Sequence, residues 1–584
     1  MGGKNYKRHS NNNSGNKNKK ESKEKKLKEG TNKGNRNNNN IQHDDSNKKI
    51  PWYLSQKFMI IVLLIGIFTI NVYDDIKKDP YNWFRISILS LFGSSEQINK
   101  LKNNNNNDPM SQCGLVMANS SLPGDSGWGM FVLETVSNGR PVSLGDPIIQ
   151  LPDIPSDQAQ SIHHLLHNYL WSGDVTGGNN EGSVVYSFLP GVGSLANGHP
   201  TQWNIAPNAG GAKVSNAGVR RSSSAGAGAF TQYHDFSFFA YGKDIRAGEE
   251  ILVNYGKGWL NKISHDALQA PQRPIHELRT TGMCLDHIRP GISSSLHNTA
   301  GRGAFSTRAL PKGTVVAPLP LIPVEARKAM KMVKGRKQLL LNYCLGHVDS
   351  SLLLVPYATV VNHVNHGGKN ESNVRMRWSQ SSLHLGKDLL KQPILELMRS
   401  PYGLLLELVA IRDIAEGEEI LVDYGDEWQD AWNKHAKKWK NDEKNYVYAS
   451  EYNSQMEVLK THQELVSDPY PSNIRTTCFY AYDPKIMGPP YTWRYVNREY
   501  KNLYPCHVLD YDQDDLMYTV LIQNQDTFIA NQQKIPTNHV VEQVPRSSIV
   551  LSDVLRSSDQ NLVSAFRHEI GIPDDIFPQA WRDL

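Results

Sequence analysis

The stretch Asp413-Ile-Ala-Glu-Gly-Glu-Glu-Ile-Leu-Val-Asp-Tyr-Gly425 occurs twice in this chain, the earlier copy reading Asp244-Ile-Arg-Ala-Gly-Glu-Glu-Ile-Leu-Val-Asn-Tyr-Gly256. The copies differ only at Arg246/Ala415, Ala247/Glu416 and Asn254/Asp423. Each reads as a charged turn, a glycine, two glutamates, a short apolar strand and a Tyr-Gly turn. Repetition at this length marks a duplicated unit, and its tyrosine is the leading catalytic candidate.

Other landmarks repeat in step with it. Cys113 precedes Gly127-Trp-Gly-Met-Phe131 and the turn Ser137-Asn-Gly139, while Cys284 precedes Gly301-Arg-Gly-Ala-Phe305 and the turn Pro311-Lys-Gly313. The offsets are 284 − 113 = 171, 301 − 127 = 174 and 413 − 244 = 169. They define units at 113–260 and 284–430, each of single-domain size. Short strands dominate: Gly-x-Gly leads into one, and Ser351–Val355 and Leu404–Ile411 are others, with Ala326–Leu341 helical in composition. Between them Val361-Asn-His-Val-Asn-His366 holds two Asn-His pairs. The pair Asn365-His366 lies 365 − 197 = 168 residues after Asn197 and fits the spacing better than Asn362 does. The first unit has Asn197-Gly-His199 there.

With these three ordered signatures, Gly-x-Gly-x-Phe, Asn-His and Gly-Glu-Glu-(apolar)₃-Asp/Asn-Tyr-Gly, each unit resembles a SET domain, the fold of S-adenosylmethionine-dependent protein lysine methyltransferases. The tandem form, with a cysteine opening each unit, looks like a group of SET-containing proteins found in diatoms. The resemblance implies a mainly β fold with inserted helices: two tandem, knotted SET-like domains, then a small β-containing region within 431–584. It implies that Gly301, Arg302, Gly303, Asn365 and His366 hold S-adenosylmethionine, with Asn373-Val374 completing the signature. Tyr424 would be the catalytic residue, orienting the amine of a protein lysine without acting as a base, and Glu418 and Glu419 would support the turn. No metal site is expected. Neither unit has the Ser-Cys and Pro-Asn that usually follow the pair, and the flanking cysteine-rich segments are missing. Asn197-Gly-His199 and the Ser/Gly/Ala-rich insert Asn208–Ala229 mark the first unit as degenerate. The alternative to an enzyme is a pair of catalytically empty SET folds forming a membrane-tethered interaction platform.

Composition frames these units. At 39% hydrophobic and 21% charged, most of the 584 residues can fold. The formal charge of +5 resides largely in lysines before residue 60, which argues against a nucleic-acid footprint on the folded domains. Five cysteines without a CxxC argue against zinc clusters and a disulfide scaffold, leaving room for one or two bridges. Residues 1–50, rich in Asn, Lys, Gly and Ser, cannot bury enough surface to order themselves. Leu54–Tyr73 is apolar, about 20 residues long and flanked by Trp52, Tyr53 and Tyr73, the pattern of a single membrane anchor. Residues 74–112 read as a linker containing the interfacial stretch Tyr81–Phe92. The Lys-rich tail tips the N-terminus to the cytosol and the rest to the lumen of the endomembrane system. Further on, Trp428–Val466 has the look of a helix packing back on its domain. The hairpin Tyr504–Asp512 with Met517–Ile522 suits a Tudor-like barrel or another small β fold, and Phe566–Trp581 should dock on the body.

Asn119-Ser-Ser and Asn370-Glu-Ser are glycosylation sequons usable only on the luminal side. Luminal placement predicts that the protein loses mass on endoglycosidase treatment; unchanged mobility would put the domains in the cytosol.

Overall fold

The computed structural model describes residues 109–584 except for internal stretches, chiefly 152–163, 173–185, 208–212, 215–223, 257–270, 294–300, 325–329, 331–336, 486–490 and 524–534. The basic tail, the apolar segment Leu54–Tyr73 and most of the linker therefore lie outside the described residues. Among the described residues no helix is long and apolar enough to cross a membrane.

The first repeat opens with the antiparallel strands Leu115–Asn119 and Trp128–Val132. Met283–Cys284 joins the free edge of the first of them, so the opening of the second repeat completes a sheet of the first. The disulfide Cys113–Cys284 (Cα–Cα 5.9 Å) lies at this junction. A five-stranded sheet follows, ordered Leu170–Ser172, Tyr186–Phe188, Asp146–Leu151, Tyr233–Phe236, Lys213–Val214.

The second repeat centres on Val315–Val324, a buried strand containing Pro318, Pro320 and Pro323. Proline cannot donate to a ladder, so its nitrogen must face an unpaired edge. Successive N–H groups point to opposite edges, and Leu321 N–H bonds the Leu404 carbonyl on one side. Pro318 and Pro320 therefore face the other side, where pairing with Leu353–Pro356 begins only at Leu321. Pro323 faces the Leu404 side, beyond the last partner of Leu405–Ala410, Pro320. The sequence thus limits where each neighbour can pair.

Leu421–Val422 is inserted between Asn365–His366 and Val374–Trp378, parallel to both. The loop joining those two segments passes over it and bonds to it, Gly367 N–H to Val422 O at 3.0 Å and Asn373 N–H to Leu421 O at 2.9 Å. This is the knot-like threading. The first repeat builds it again: Asn197–Gly198 runs parallel to Leu252–Val253, with His199 N–H on Val253 O and Asn204 N–H on Leu252 O.

One hydrophobic core serves both repeats, running from Met130, Ile148 and Phe188 to Leu319, Leu353 and Leu405. Of the expected helix Ala326–Leu341, the described end is a 3₁₀ turn at Leu339–Tyr343. A separate core supports a six-stranded C-terminal sheet ordered Tyr491–Thr492, His539–Pro545, Met517–Ile522, Leu503–Tyr511, Ile474–Phe479, Ile549–Asp553. The hairpin read from sequence is its centre, and Cys478–Cys506 bridges two of its neighbouring strands. Tyr480, Tyr482 and Tyr491 gather around the buried His539. The fifth cysteine, Cys344, is buried and free.

The helix Asp426–Lys438 carries acids in its first turn and His435, Lys437 and Lys438 in its last, complementing its dipole. Trp428, Trp432 and His435 share one face and meet Phe566 of the terminal segment, the two tryptophans edge-on. That segment then adds Ile570–Gly571 in parallel to Leu345–Gly346 and ends on Trp581. Trp581 is fully buried, edge-on to Trp378, with its indole N–H on Gln392 O. Trp581→Ala is expected to cost about 3–5 kcal/mol of stability, read as a lowered midpoint in guanidinium unfolding.

Candidate functional site

Gly301 adopts φ 67°, a left-handed conformation that a side chain would strain. The turn delivers the strand Arg302–Ser306, paired with Ile288–Ile292. At Gly303 the reason for glycine is contact: a Cβ there would lie 2.4 Å from Glu419 Oε1. The same carboxylate accepts from Asn365 Nδ2 at 2.9 Å, and Asn365 also donates to Arg302 O at 2.8 Å. Ser293 Oγ donates to its other oxygen. Three distant segments, around 302, 365 and 419, are thus fastened through one glutamate, which supports the turn as expected. Asn365, not Asn362, makes these bonds; Asn373 donates to Glu419 O and accepts from Leu421 N–H.

His366 Nδ1 accepts the Tyr424 backbone N–H at 2.9 Å. That leaves the proton on Nε2, which donates to Gln429 Oε1 at 2.8 Å. The Tyr424 hydroxyl donates to Val364 O, and its ring lies against His366 and Trp428. Burial pushes the phenol well above its usual range, with Tyr343 and Glu419 adding to the shift, so Tyr424 stays protonated and can orient a partner but not serve as a base.

These groups border a cavity of about 150 Å³. Arg302, Asn362, His363, Asn365 and His366 supply its polar wall, and Trp428, Trp432 and Phe566 its flat apolar one. Phe230 and His234 reach it from the first repeat. Arg302 pairs with Asp235 of that repeat, while its buried Nε meets no acceptor among the described residues. Burial, then the neighbouring Arg302, push His363 down to about 3. His234, 5.6 Å from His363 between ring centroids, is held well below the imidazole range by burial, His363 and Arg302.

The first repeat has the same frame. Asn197 Nδ2 donates to Trp128 O and to Glu250 Oε1, both at 2.9 Å, and a Cβ on Gly129 would meet Glu250 Oε1 at 2.1 Å. Tyr255 donates to Ala196 O as Tyr424 does to Val364 O. Its pocket differs, however: a Cβ on Gly198 would lie 2.2 Å from the Tyr255 ring, so that ring takes the room a side chain would need. His199 is buried, its Nδ1 accepting from Thr201 and Gln202 N–H.

The structure therefore brings Arg302, Asn365, His366 and Tyr424 to one cavity, with Gly301 and Gly303 shaping the strand behind it. Sequence reading set His363 aside with the Asn362 pair, and it did not single out His234, Asp235 or Phe566 for the site. Only the Trp428/Trp432/His435 spacing carried a signal, a single helical face; Phe566 comes from 566 − 424 = 142 residues further on.

The sequence model for the SET domain matches residues 301–425, which are a SET domain. The match does not extend to the first repeat. No curated protein matches the chain. Among solved structures, the chain is similar to a Plasmodium falciparum protein assigned as a histone methyltransferase, at 19% identity over 25% of this chain and 97% of that one, TM-score 0.16. It is similar to Chaetomium thermophilum Polycomb Repressive Complex 2 bound to GSK126, at 16% identity over 24% of this chain and 16% of that one, TM-score 0.18. A ctPRC2 structure bound to S-adenosylmethionine gives 15% over 24% and 16%, TM-score 0.17. The chain thus spans under a fifth of the Polycomb chains it matches, and the SET assignment rests on the family match.

The two neutral histidines set a pH dependence. Unfolded, each takes up a proton below about 6.5; folded, His363 does so only near 3. Between those values the unfolded state binds more protons, so stability falls as pH falls through that window. His363 alone should account for a loss on the order of 2 kcal/mol between pH 8 and pH 5. Urea unfolding of His363→Gln should show a shallower slope over that range.

Proposed function

We propose that this chain is a SET-type protein lysine methyltransferase acting through the second repeat, with S-adenosylmethionine as methyl donor. The observation that carries this is Tyr424 at the edge of the cavity lined by Arg302, Asn365 and His366, within the matched SET domain. The residues present suit the cofactor's chemistry. Arg302 Nε is a buried donor lacking an acceptor, a place for a carboxylate, and Trp428, Trp432 and Phe566 offer faces for a purine. At about 150 Å³ the cavity is below the ~300–1,000 Å³ usual for ligands, so binding requires the Phe566 wall to move outward. When bound, the cofactor supplies an electrophilic methyl group.

The chain's own part is positioning. The protonated Tyr424 hydroxyl can turn from Val364 O toward an incoming amine and align its lone pair. No Asp or Glu lines the cavity among the described residues, so the lysine is made neutral by desolvation as it enters, not by a carboxylate base. The first repeat is read as a second SET-like fold without this chemistry, since Trp128 and Gly198 stand where Arg302 and His366 do. The hydroxyl already committed to Val364 O and the small cavity favour the competing reading, a non-catalytic platform.

The apolar segment Leu54–Tyr73 would tether the protein to a membrane. The disulfides Cys113–Cys284 and Cys478–Cys506 support an oxidising, luminal compartment, where substrates would be endomembrane proteins. Calorimetry of the purified protein should show S-adenosylmethionine binding, and Tyr424→Phe should lower methyl transfer roughly tenfold to a hundredfold while sparing that binding. A folded protein that releases no heat of binding would leave the platform reading standing.

A further inference from the structure

The first repeat holds its own pocket, of about 790 Å³, well within the ~300–1,000 Å³ range of ligand sites. Six aromatic rings line it: Trp128, Tyr169, Trp171 and Tyr255 from the first repeat, Tyr357 and Tyr402 from the second. They meet in three pairs, Trp128 with Tyr402 at 6.3 Å, Tyr169 with Tyr357 at 5.0 Å and Trp171 with Tyr255 at 6.1 Å.

This pocket lacks the charged side chain of its counterpart. Where the second repeat places Arg302, His363 and His366, the first has Trp128, Leu195 and Gly198. Among the described residues lining it there is no Asp, Glu, Lys or Arg, and the one histidine, His199, uses Nδ1 within its own turn. The polar tips of the rings are engaged as well. Trp171 N–H goes to Gly193 O, Trp128 N–H to Leu383 O and the Tyr255 hydroxyl to Ala196 O, while Tyr169 and Tyr357 bond to each other. What these rings offer a ligand is their negative π-face.

Among the described residues no cationic side chain lines the pocket to hold an anion, and the polar groups that border it, among them the amides of Asn168 and Asn254, are neutral. A primary ammonium brings three N–H groups that each need an acceptor, and burying them unmet is costly. A quaternary ammonium brings charge without N–H groups and is drawn to ring faces by cation–π attraction. We propose that the first repeat's pocket binds a methylated ammonium group, the trimethyl-lysine side chain of a protein. The site is then a reader physically joined to the second repeat, and it stands whether or not that repeat transfers methyl.

The test uses the full chain and three Ala/Gly peptides, followed by fluorescence anisotropy. One carries trimethyl-lysine, one lysine, and one the neutral isostere with a quaternary carbon in place of the nitrogen. The trimethyl-lysine peptide is expected to bind at least about tenfold more tightly than either other peptide, the scale of one cation–π contact in a desolvated site. Trp171→Leu should abolish that preference and Trp171→Phe should retain most of it. Equal binding of the neutral isostere or of lysine overturns the proposal, as does no saturable binding of the trimethyl-lysine peptide. An undiminished preference in Trp171→Leu overturns it by moving the ligand elsewhere. If Trp171→Leu does not fold, the isostere comparison on the unaltered chain decides.

Discussion

A carboxylate pressed against a glycine is what the rest of this molecule depends on. Glu419 occupies the volume a side chain at Gly303 would need, and from there ties down Asn365 and Ser293. Glu250 does the same to Gly129, Asn197 and Ser120. In each repeat this contact locks the inserted strand under its loop, and the loop in turn aims the tyrosine. A threaded arrangement has few local hydrogen bonds to hold it, since its partner segments lie 419 − 365 = 54 residues apart. The charge-assisted bonds to glutamate supply the closure that a short hairpin would otherwise provide.

The repeats close each other. The residue between the two glycines meets the opposite repeat in both cases, Arg302 on Asp235 and Trp128 on Tyr402. Asp146 accepts from Thr359 and from the N–H of Val360, a β-branched residue held at φ 64° that only surrounding structure can sustain. Burial of that carboxyl lifts it to about 6. Each pocket is therefore walled partly by the other repeat, and one continuous core lies between them. The chain behaves as a dimer whose two subunits share a backbone, free to let the two pockets diverge in chemistry while conserving the frame.

How much of this the sequence disclosed follows from distance along the chain. The repeat, the glycine turns, the choice of Asn365 over Asn362 and the docking of Phe566–Trp581 were readable, because each is a local pattern or a constant offset. The supporting role of the glutamates was readable too, though Gly303 proved to be shaped by Glu419 rather than by space for a ligand alone. Hidden were the contributions that cross between repeats. Nothing around His234 or Tyr402 announces which pocket it will face, because the facing is set by packing of the shared core. The aromatic wall of the first repeat escaped notice for the same reason: its six rings come from positions 128 to 402. A missing Asn-His pair read as loss of a site, whereas the space was rebuilt with rings.

The contact of Gly571 with Tyr424 has a consequence in time. Gly571 N–H bonds the Tyr424 carbonyl, and a Cβ at Gly571 would lie 2.8 Å from that oxygen. Phe566 of the same segment walls the cavity. At about 5–20 residues per second of synthesis, the 571 − 424 = 147 residues separating the two take roughly 7–30 s to emerge. During that interval the nascent SET domain has its tyrosine but not its wall, and Trp428 and Trp432 have no Phe566 to pack against. The order of synthesis itself thus sets a delay between making the site and finishing it.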